Sequence, residues 1–192
     1  MSTAGDDRLV SFGPDITNEI FLRIIFGDQW QRALIAGFPG NPETHANWQA
    51  YRASMLPSAA RQRELNMYFC PSLVRGTRRW ISEFMSFHVI VVDDYGTKVP
   101  VGQAELVLGT RPSYVIETSP GNYQAGWLME PVLDLGWVKG MLKELRIRIG
   151  AGDNLADPVI WRRMPVGING KVKYQGRDGR PWRTELASGD QP

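Results

Sequence analysis

Two adjacent carboxylates, Asp93 and Asp94, end an apolar run that extends from Val89 to Val92. Four consecutive aliphatic residues predict a strand that is buried on both faces. Because neighbouring negative charges repel each other, such a pair is typical of a site that holds a divalent cation. The alternative interpretation is a simple turn, since Asp and the following Gly96 are common where a strand ends.

The available ligand types limit which cation could bind. The 192-residue chain has one cysteine, Cys70, and two histidines, His45 and His88, which lie far apart. An internal disulfide and a cysteine-based zinc cluster are therefore excluded, and no zinc is expected. Oxygen ligands favour Mg²⁺ or Mn²⁺. We expect His88, inside an apolar segment, to be a hydrogen-bonded core residue rather than a ligand.

Positive charge is distributed unevenly along the chain, although the net charge is only +2. Between residues 139 and 183 there are eleven Lys or Arg residues against four acidic residues. This excess favours a polyanionic partner, although solvated helix and hairpin faces give similar counts. A second basic cluster comprises Arg75, Arg78 and Arg79. We expect these three arginines, together with Lys173, to contact DNA.

The length and hydropathy of the chain predict one domain without a membrane span. We expect a flexible arm over residues 1–14, one domain over 15–187, and a tail or the start of a linker over 188–192. No basic segment followed by an apolar one resembles a signal peptide, so a cytoplasmic location is expected.

Periodicity predicts an α+β fold, with a mainly antiparallel sheet flanked by helices. The first helix is expected to start at Asp15 or Thr17 and to carry Ile20 and Ile25 on one face. A second helix is expected over residues 43–55. The elements predicted after them are a strand at 65–69, the acidic-ended strand, a hairpin of 113–117 and 123–129, a helix over 132–149 that ends at Gly150, a strand at 159–164, and a hairpin within 171–186.

Three segments taken together resemble the primase domain of the archaeo-eukaryotic primase superfamily, specifically the RepB-type plasmid and prophage replication primases. Residues 91–98 (VVDDYGTK) are similar to the acidic strand end of the family. Residues 116–124 (IETSPGNYQ) look like its nucleotide-binding turn. Residues 153–171 are similar to an Asp followed by Arg-x-Pro and Asn-x-Lys. The resemblance covers roughly residues 65–175.

The resemblance implies a role for each matching residue. Asp93, Asp94 and Asp153 would be catalytic metal ligands for two-metal nucleotidyl transfer. The residues that would bind the nucleotide are Ser119, Gly121, Asn122, Gln124, Arg163, Asn169 and Lys171. The chemistry of these residue types agrees, because carboxylates hold cations while turn amides, guanidinium and ammonium groups bind phosphates.

The chain departs from the family pattern at three places. Many members have two acids separated by one residue, whereas here the acids are adjacent and Tyr95 takes the later place. On a regular strand Asp93 and Asp94 would face opposite sides, so only one would reach a metal unless a bulge or turn begins there. Gln124 stands where His is common, and Val166 where Gly is usual.

The expected function is a primase or primase-polymerase that makes short primers on single-stranded DNA during replication of a phage, plasmid or other mobile element. Its expected partners are the template strand, nucleoside triphosphates, and a replicative helicase or a C-terminal helical domain. Two alternatives remain open. One is a catalytically weak module that binds single-stranded or origin DNA, and the other is a metal-dependent nuclease that uses the same acids.

Overall fold

The computed structural model describes residues 15–187. The predicted arm (1–14) and tail (188–192) lie outside the described residues. Within the described part, helices and antiparallel strands are mixed, as the sequence predicts, and no helix there is long and apolar enough to cross a membrane.

The strands form two sheets. The strand bounds are β1 Leu34–Phe38, β2 Tyr51–Arg52, β3 Asn66–Phe69, β4 Ser72–Val74, β5 Phe84–Tyr95, β6 Tyr114–Ser119, β7 Asn122–Val132, β8 Arg162–Arg163, β9 Gly167–Asn169 and β10 Trp182–Leu186. The small sheet has the order β2-β1-β3-β8, and the large sheet has the order β4-β5-β7-β6-β10-β9. Each of the strand pairs described in the two sheets is antiparallel.

Strand β5 lies between two hydrophobic cores, as its aliphatic run predicts. Val89 and Val91 pack into the core formed with helix α1 (Asn18–Phe26) and the small sheet. Ile90 packs into the core on the opposite face, against helices α3 (Val101–Leu108) and α4 (Leu135–Ile149). The alternation of these side chains follows from the two-residue period of a strand. Because both faces are covered, the two carboxylates of β5 lie at its C-terminal end, while the polar residues Ser86 and His88 earlier in the strand are buried and hydrogen-bond to each other.

The helices begin and end at residues that cap them. Thr17 caps α1 by accepting a hydrogen bond from the Ile20 amide, which agrees with one of the two predicted starts. Asp134 caps α4 in the same way, and the helix ends at Gly150, in the left-handed conformation at φ 67°. Glycine favours this conformation because it has no Cβ.

Three predicted elements are wrong or displaced. Residues 43–55 do not form a helix but contain turns, β2 and a 3-10 turn. Residues 171–186 do not form their own hairpin, because β10 pairs with β9 and β6 instead. The strand expected at 159–164 is reduced to Arg162–Arg163. Helix α3, the four-residue helix α2 (Ala59–Gln62), and strands β1 and β4 were not predicted.

Candidate active site

A β-bulge at the end of β5 places both acids at one cleft. Asp93 pairs with Gln124 of β7 and Tyr95 pairs with Tyr123, so Asp94 is the extra residue between two consecutive partners. Asp94 has a φ of 56°, the only positive φ of a non-glycine among the described residues. Because a bulge re-aims side chains, the opposite orientation expected on a regular strand does not apply, and both carboxylates line the cleft.

Tyr95 does not reach the cleft that Asp93 and Asp94 line. Its ring is buried in the core below the sheet, and its hydroxyl donates a 3.2 Å hydrogen bond to Glu105 on α3. Burial, together with the nearby Glu105 carboxylate, raises the pKa of Tyr95 to about 12. Tyr95 therefore supports the strand end and does not replace the second acid.

The cleft itself has a volume of about 510 Å³ and lies where the two sheets meet. It gathers residues that are far apart in sequence, from the β5 end, the β6–β7 turn, β8 and the loop after β9. The predicted site residues that line it are Asp93, Asp94, Ser119, Asn122, Gln124, Arg163, Asn169, Lys171 and Lys173. The sequence analysis thus predicted most of the polar residues that line the cleft.

Asp93 is held by a buried arginine that the sequence analysis did not single out as a site residue. The side chain of Arg162 on β8 is 2% exposed, and its guanidinium donates a hydrogen bond to the Asp93 carboxylate. A second Arg162 nitrogen donates to the backbone oxygen of Asn154 at 2.9 Å. The Asp93 side chain is 43% exposed, so its carboxylate both pairs with Arg162 and faces the cleft. Arg162 therefore fixes its orientation.

Asp94 has a different partner, at the surface. Its carboxylate accepts a 2.7 Å hydrogen bond from the Lys98 ammonium, which is 80% exposed. Hydrogen bonding to Asp94 and its negative charge raise the pKa of Lys98. A surface pair of this kind contributes little to stability, so the Asp94 carboxylate is available to other cations.

Asp153 is not brought into the cleft. It starts a 3-10 turn at Asp153–Ala156, its side chain is 93% exposed, and its carboxylate pairs with Arg146 on α4. Its neighbour Asn154 does line the cleft. Among residues 15–187, no cluster of three or more His, Cys, Asp or Glu side chains is arranged to hold a metal. The convergence of three acids expected from the sequence is therefore absent from this part of the chain as it stands.

The donors at the β5 end nevertheless fit a hard divalent cation. Two carboxylates on consecutive residues face one solvent-accessible cleft, and the described residues that line it include no His or Cys. Carboxylate oxygens suit Mg²⁺ and Mn²⁺, which keep several water ligands and need few from the protein.

Gln124 lines the cleft, but its side-chain amide joins the two sheets. It is 1% exposed; its Nε2 donates to the Arg163 backbone oxygen, and its Oε1 accepts from the Arg163 amide, both at 3.0 Å. Gln124 was expected to donate to phosphate. The structure shows that its amide is engaged with β8, so it positions Arg163.

The Arg163 guanidinium is a buried part of the cleft wall. It donates to the Ile168 backbone oxygen at 2.8 Å and to the Asn169 side-chain oxygen at 2.9 Å, and it lies 4.8 Å from the centre of the Tyr68 ring. Burial lowers the pKa of Arg163. Asn169 in turn donates to the Thr118 backbone oxygen at 2.8 Å. These contacts join β8, β9 and β6 beneath the cleft.

The β6–β7 turn is built as predicted, but part of its polar surface is occupied. Gly121 lies at the tip with a φ of 66°, and its amide donates to the Glu117 carboxylate at 2.8 Å. The Asn122 side-chain oxygen accepts from the Thr97 hydroxyl at 3.0 Å. Ser119 is buried and hydrogen-bonds to Tyr174, which lowers the pKa of that phenol.

Lys171 and Lys173 supply accessible positive charge on the cleft wall. The Lys171 ammonium lies 3.3 Å from the Glu43 carboxylate, and Lys173 lies 4.9 Å from the centre of the Tyr174 ring. The preceding Gly170 is required because a Cβ there would lie 1.9 Å from the Gly40 carbonyl oxygen. Close packing of these two loops holds Lys171 beside the cleft.

The arginines expected to bind DNA lie outside this cleft. Arg78 and Arg79 line a separate groove, while exposed Arg75 lies near Glu83. Several cleft residues were missed by the sequence analysis as members of the site: Pro42, Glu43, Trp48, Tyr68, Lys98, Thr118, Asn154, Trp161 and Tyr174. Lys98 and Thr118 lie within the first two motifs, and Asn154 and Trp161 lie within the span of the third, which was the one available signal. The remaining residues lie outside the motifs in sequence; Tyr68, for example, reaches the cleft because β3 pairs with β8.

Comparison with known proteins agrees with this geometry. The family model of the RepB DNA-primase N-terminal domain matches residues 28–191, which is most of the chain. The chain belongs to the RepB DNA-primase N-terminal domain family. Among curated proteins, none matches it significantly.

Three solved structures share the fold of this RepB-family chain. The archaeo-eukaryotic primase domain of the cyanophage S-2L primase-polymerase is 16% identical, with 88% of this chain and 86% of that chain covered and a TM-score of 0.63. The catalytic domain of primase RepB′ in complex with initiator DNA is 18% identical, with coverage of 89% and 81% and a TM-score of 0.57. A further structure of primase RepB′ is 16% identical, with coverage of 82% and 51% and a TM-score of 0.54. The predicted family and fold are thereby confirmed.

Proposed function

We propose that this RepB-family domain is a nucleotidyltransferase that makes short primers on single-stranded DNA, using nucleoside triphosphates and Mg²⁺ or Mn²⁺. The observation that carries the proposal is the bulge at Asp94, which places two consecutive carboxylates in a cleft whose lining also includes the cationic side chains of Lys98, Lys171 and Lys173. Adjacent acid and cation sites are what phosphoryl transfer requires, since catalysis is mainly positioning and charge stabilisation.

Asp93 and Asp94 would hold the cations, and Asp153 is the third proposed ligand. Its neighbour Asn154 already lines the cleft, and its ion pair with Arg146 lies at the surface, where breaking it costs little. A bound divalent cation would lower the pKa of the attacking hydroxyl and neutralise the charge of the triphosphate. The guanidinium of buried Arg162, which donates to the Asp93 carboxylate, would hold that carboxylate in place for the cation.

The triphosphate would lie along the opposite wall. Lys171 and Lys173 are the accessible cations there, with Ser119 and Asn122 as additional polar contacts from the β6–β7 turn. Gln124, Arg163 and Asn169 act mainly by fixing that wall, because most of their polar atoms are already paired within the protein. The Gly121 amide is directed at Glu117 and serves the turn.

The relatives support the choice of template. One solved neighbour is a primase bound to initiator DNA, and another is a primase-polymerase. We propose that this chain likewise acts on DNA in the replication of a phage, plasmid or mobile element, with a helicase or a helical domain as a further partner and the cytoplasm as its location.

Metal-dependent incorporation of labelled nucleotide on a single-stranded DNA template tests the proposal. We expect products with Mg²⁺ or Mn²⁺ and none with a chelator. Strand degradation without added nucleotides would identify a nuclease instead. Tight, salt-sensitive strand binding with no incorporation under any metal condition would identify a binding module, with a log–log salt slope of about −0.7 per contacted phosphate.

A further inference from the structure

A second groove adjoins the candidate active site. It has a volume of about 560 Å³, and its aromatic and basic walls are formed by Trp48, Trp80, Trp161, Arg78 and Arg79. We call it the tryptophan groove. Trp48 and Trp161 also line the catalytic cleft, so the two depressions share one wall. A strand bound in the tryptophan groove could therefore continue into the cleft without leaving the protein surface.

Arginine side chains stack on two of its indole rings. The Arg79 guanidinium carbon lies 4.8 Å from the centre of the Trp161 ring, and Arg79 donates a 2.5 Å hydrogen bond to the Val159 backbone oxygen. The Arg78 guanidinium carbon lies 4.8 Å from the centre of the Trp80 ring. These cation–π contacts place two planar guanidinium groups at the groove, so the groove carries positive charge as well as indole rings.

Trp48 is supported by the residues beneath it, whereas the Trp80 ring stays largely exposed although Arg78 lies over it. Trp48 packs on Phe38 and Tyr68, with ring centres 4.6 and 4.7 Å apart, so its position is fixed by β1 and β3. Trp80 is 54% exposed, which is unusual for so large an apolar side chain. Of the described residues that line the groove, none carries a carboxylate. The groove thus offers stacking surface together with positive charge and has no carboxylate among these lining residues.

We propose that the tryptophan groove holds unpaired bases of the single-stranded DNA template next to the catalytic cleft. Every base has a face that stacks on an indole ring, and the two arginines neutralise the adjoining phosphates, so the recognition is tolerant of sequence. A duplex cannot use the rings in this way because its bases are already stacked on one another. This inference rests on the proposed function for the identity of the strand, but the groove can be tested without catalysis.

Trp80 is the residue to change, because its ring is exposed and its loss leaves the core intact. A matched control is Trp137 on α4, which is 53% exposed and does not line the groove. Binding is measured by fluorescence anisotropy of a labelled thymidine oligomer, with a chelator and no nucleotide present. We expect Trp80→Ala to weaken binding about tenfold, equivalent to about 1.4 kcal/mol, because one base loses its stacking partner. Trp80→Phe should recover part of the loss, and Trp137→Ala should bind like the wild type.

An oligomer with an abasic site gives a second, independent measurement. We expect one abasic position, scanned along the strand, to weaken binding to the wild type and to have a much smaller effect on Trp80→Ala, because the stacking partner is already missing. Binding to duplex DNA should be the same for both proteins.

Three outcomes would overturn the inference: unchanged strand affinity in Trp80→Ala, an equal loss in Trp137→Ala, or displacement of the oligomer from the groove by nucleoside triphosphate alone. A loss of binding in Trp80→Ala in a protein that never incorporates nucleotide would support the groove and refute the proposed primer synthesis. The two failures are therefore distinguishable.

Discussion

The side-chain amide of Gln124 and the backbone of Arg163 exchange two hydrogen bonds, each 3.0 Å long, and thereby join the large sheet to the small one. Both residues line the cleft, so this pair of hydrogen bonds lies in its wall. Gln124 stands where His is common in the resembling family, and here it serves as a connector. Gln124 belongs to β7 of the large sheet and Arg163 to β8 of the small sheet.

Replacing Gln124 by leucine should destabilise the protein. The substitution leaves the buried amide and carbonyl of Arg163 without partners, and we expect a loss of about 2 kcal/mol in the free energy of unfolding. Urea denaturation measures it. Gln103→Leu is the matched control, since Gln103 also donates to a backbone oxygen, that of Arg148 at 2.6 Å, but is exposed. Equal losses in the two variants would contradict the connector role.

Lys171→Gln should raise the Michaelis constant for nucleotide without unfolding the protein. We expect an increase of about tenfold or more, because a charge-assisted phosphate contact contributes roughly 1.5–3 kcal/mol. The free energy of unfolding should change little, since the present partner of Lys171 is the exposed carboxylate of Glu43. Lys143→Gln on exposed helix surface is the control. An unchanged constant would place the triphosphate elsewhere.

Asp153→Asn tests the third proposed ligand. We expect nucleotide incorporation to fall by about 100-fold, since even residues that only support metal ligands cost roughly 10- to 100-fold when changed. Arg146→Gln breaks the same surface ion pair from the other side and should leave activity unchanged. Full activity in Asp153→Asn, or equal losses in the two variants, would show that Asp153 is only a surface partner of Arg146.

His88 should make the stability of the domain depend on pH. It is 2% exposed, its Nε2 lies 2.7 Å from the Ser86 hydroxyl, and burial lowers its pKa to about 4. The unfolded chain takes up a proton near pH 6.5, whereas the folded protein does not do so until about pH 4. Stability contributed by the neutral ring is therefore full above pH 6.5 and is lost as the pH falls toward 4, by about 3 kcal/mol.

Urea denaturation of the wild type and of His88→Gln over this pH range checks the dependence. The difference between the two proteins isolates His88 from the other titrating groups. Parallel pH profiles would show that protonation of His88 is not coupled to folding.

The sequence predicts well those elements whose pattern is set locally. The aliphatic run of β5, the turn at Gly121, the start of α1 at Thr17 and the end of α4 at Gly150 were predicted because hydrophobic patterning, turn chemistry and capping are short-range properties. The helix expected at 43–55 is wrong because its aromatic residues serve long-range contacts instead. His45 stacks on Phe38 at 4.2 Å, and Trp48 packs on Tyr68.

The sequence predicted mainly those residues of the candidate site that lie within the three motifs. Asp93 and Lys171 were identified from their local sequence, but the bulge that re-aims Asp94 depends on the register between β5 and β7. Arg162 could not be distinguished from Arg163 by sequence. Its burial and its pairing with Asp93, 69 positions earlier, follow from the position of β8 beside β3.

Substitution of the two acids at the bulge is the most direct test of the central claim. Asp94→Asn is structurally mild, because asparagine tolerates the φ of 56° and only the exposed Lys98 loses its partner. Asp93→Asn also removes the negative charge opposite buried Arg162, so we expect a loss of roughly 1–3 kcal/mol in stability. The stability of both variants is therefore measured alongside activity.

Incorporation of labelled nucleotide on single-stranded DNA with Mn²⁺, for the wild type and the two folded variants, is the deciding measurement. The structure predicts metal-dependent products with the wild type and at least a roughly 100-fold loss with Asp93→Asn and with Asp94→Asn. Wild-type incorporation by either folded variant would contradict the claim that the bulged pair of carboxylates is the catalytic metal site.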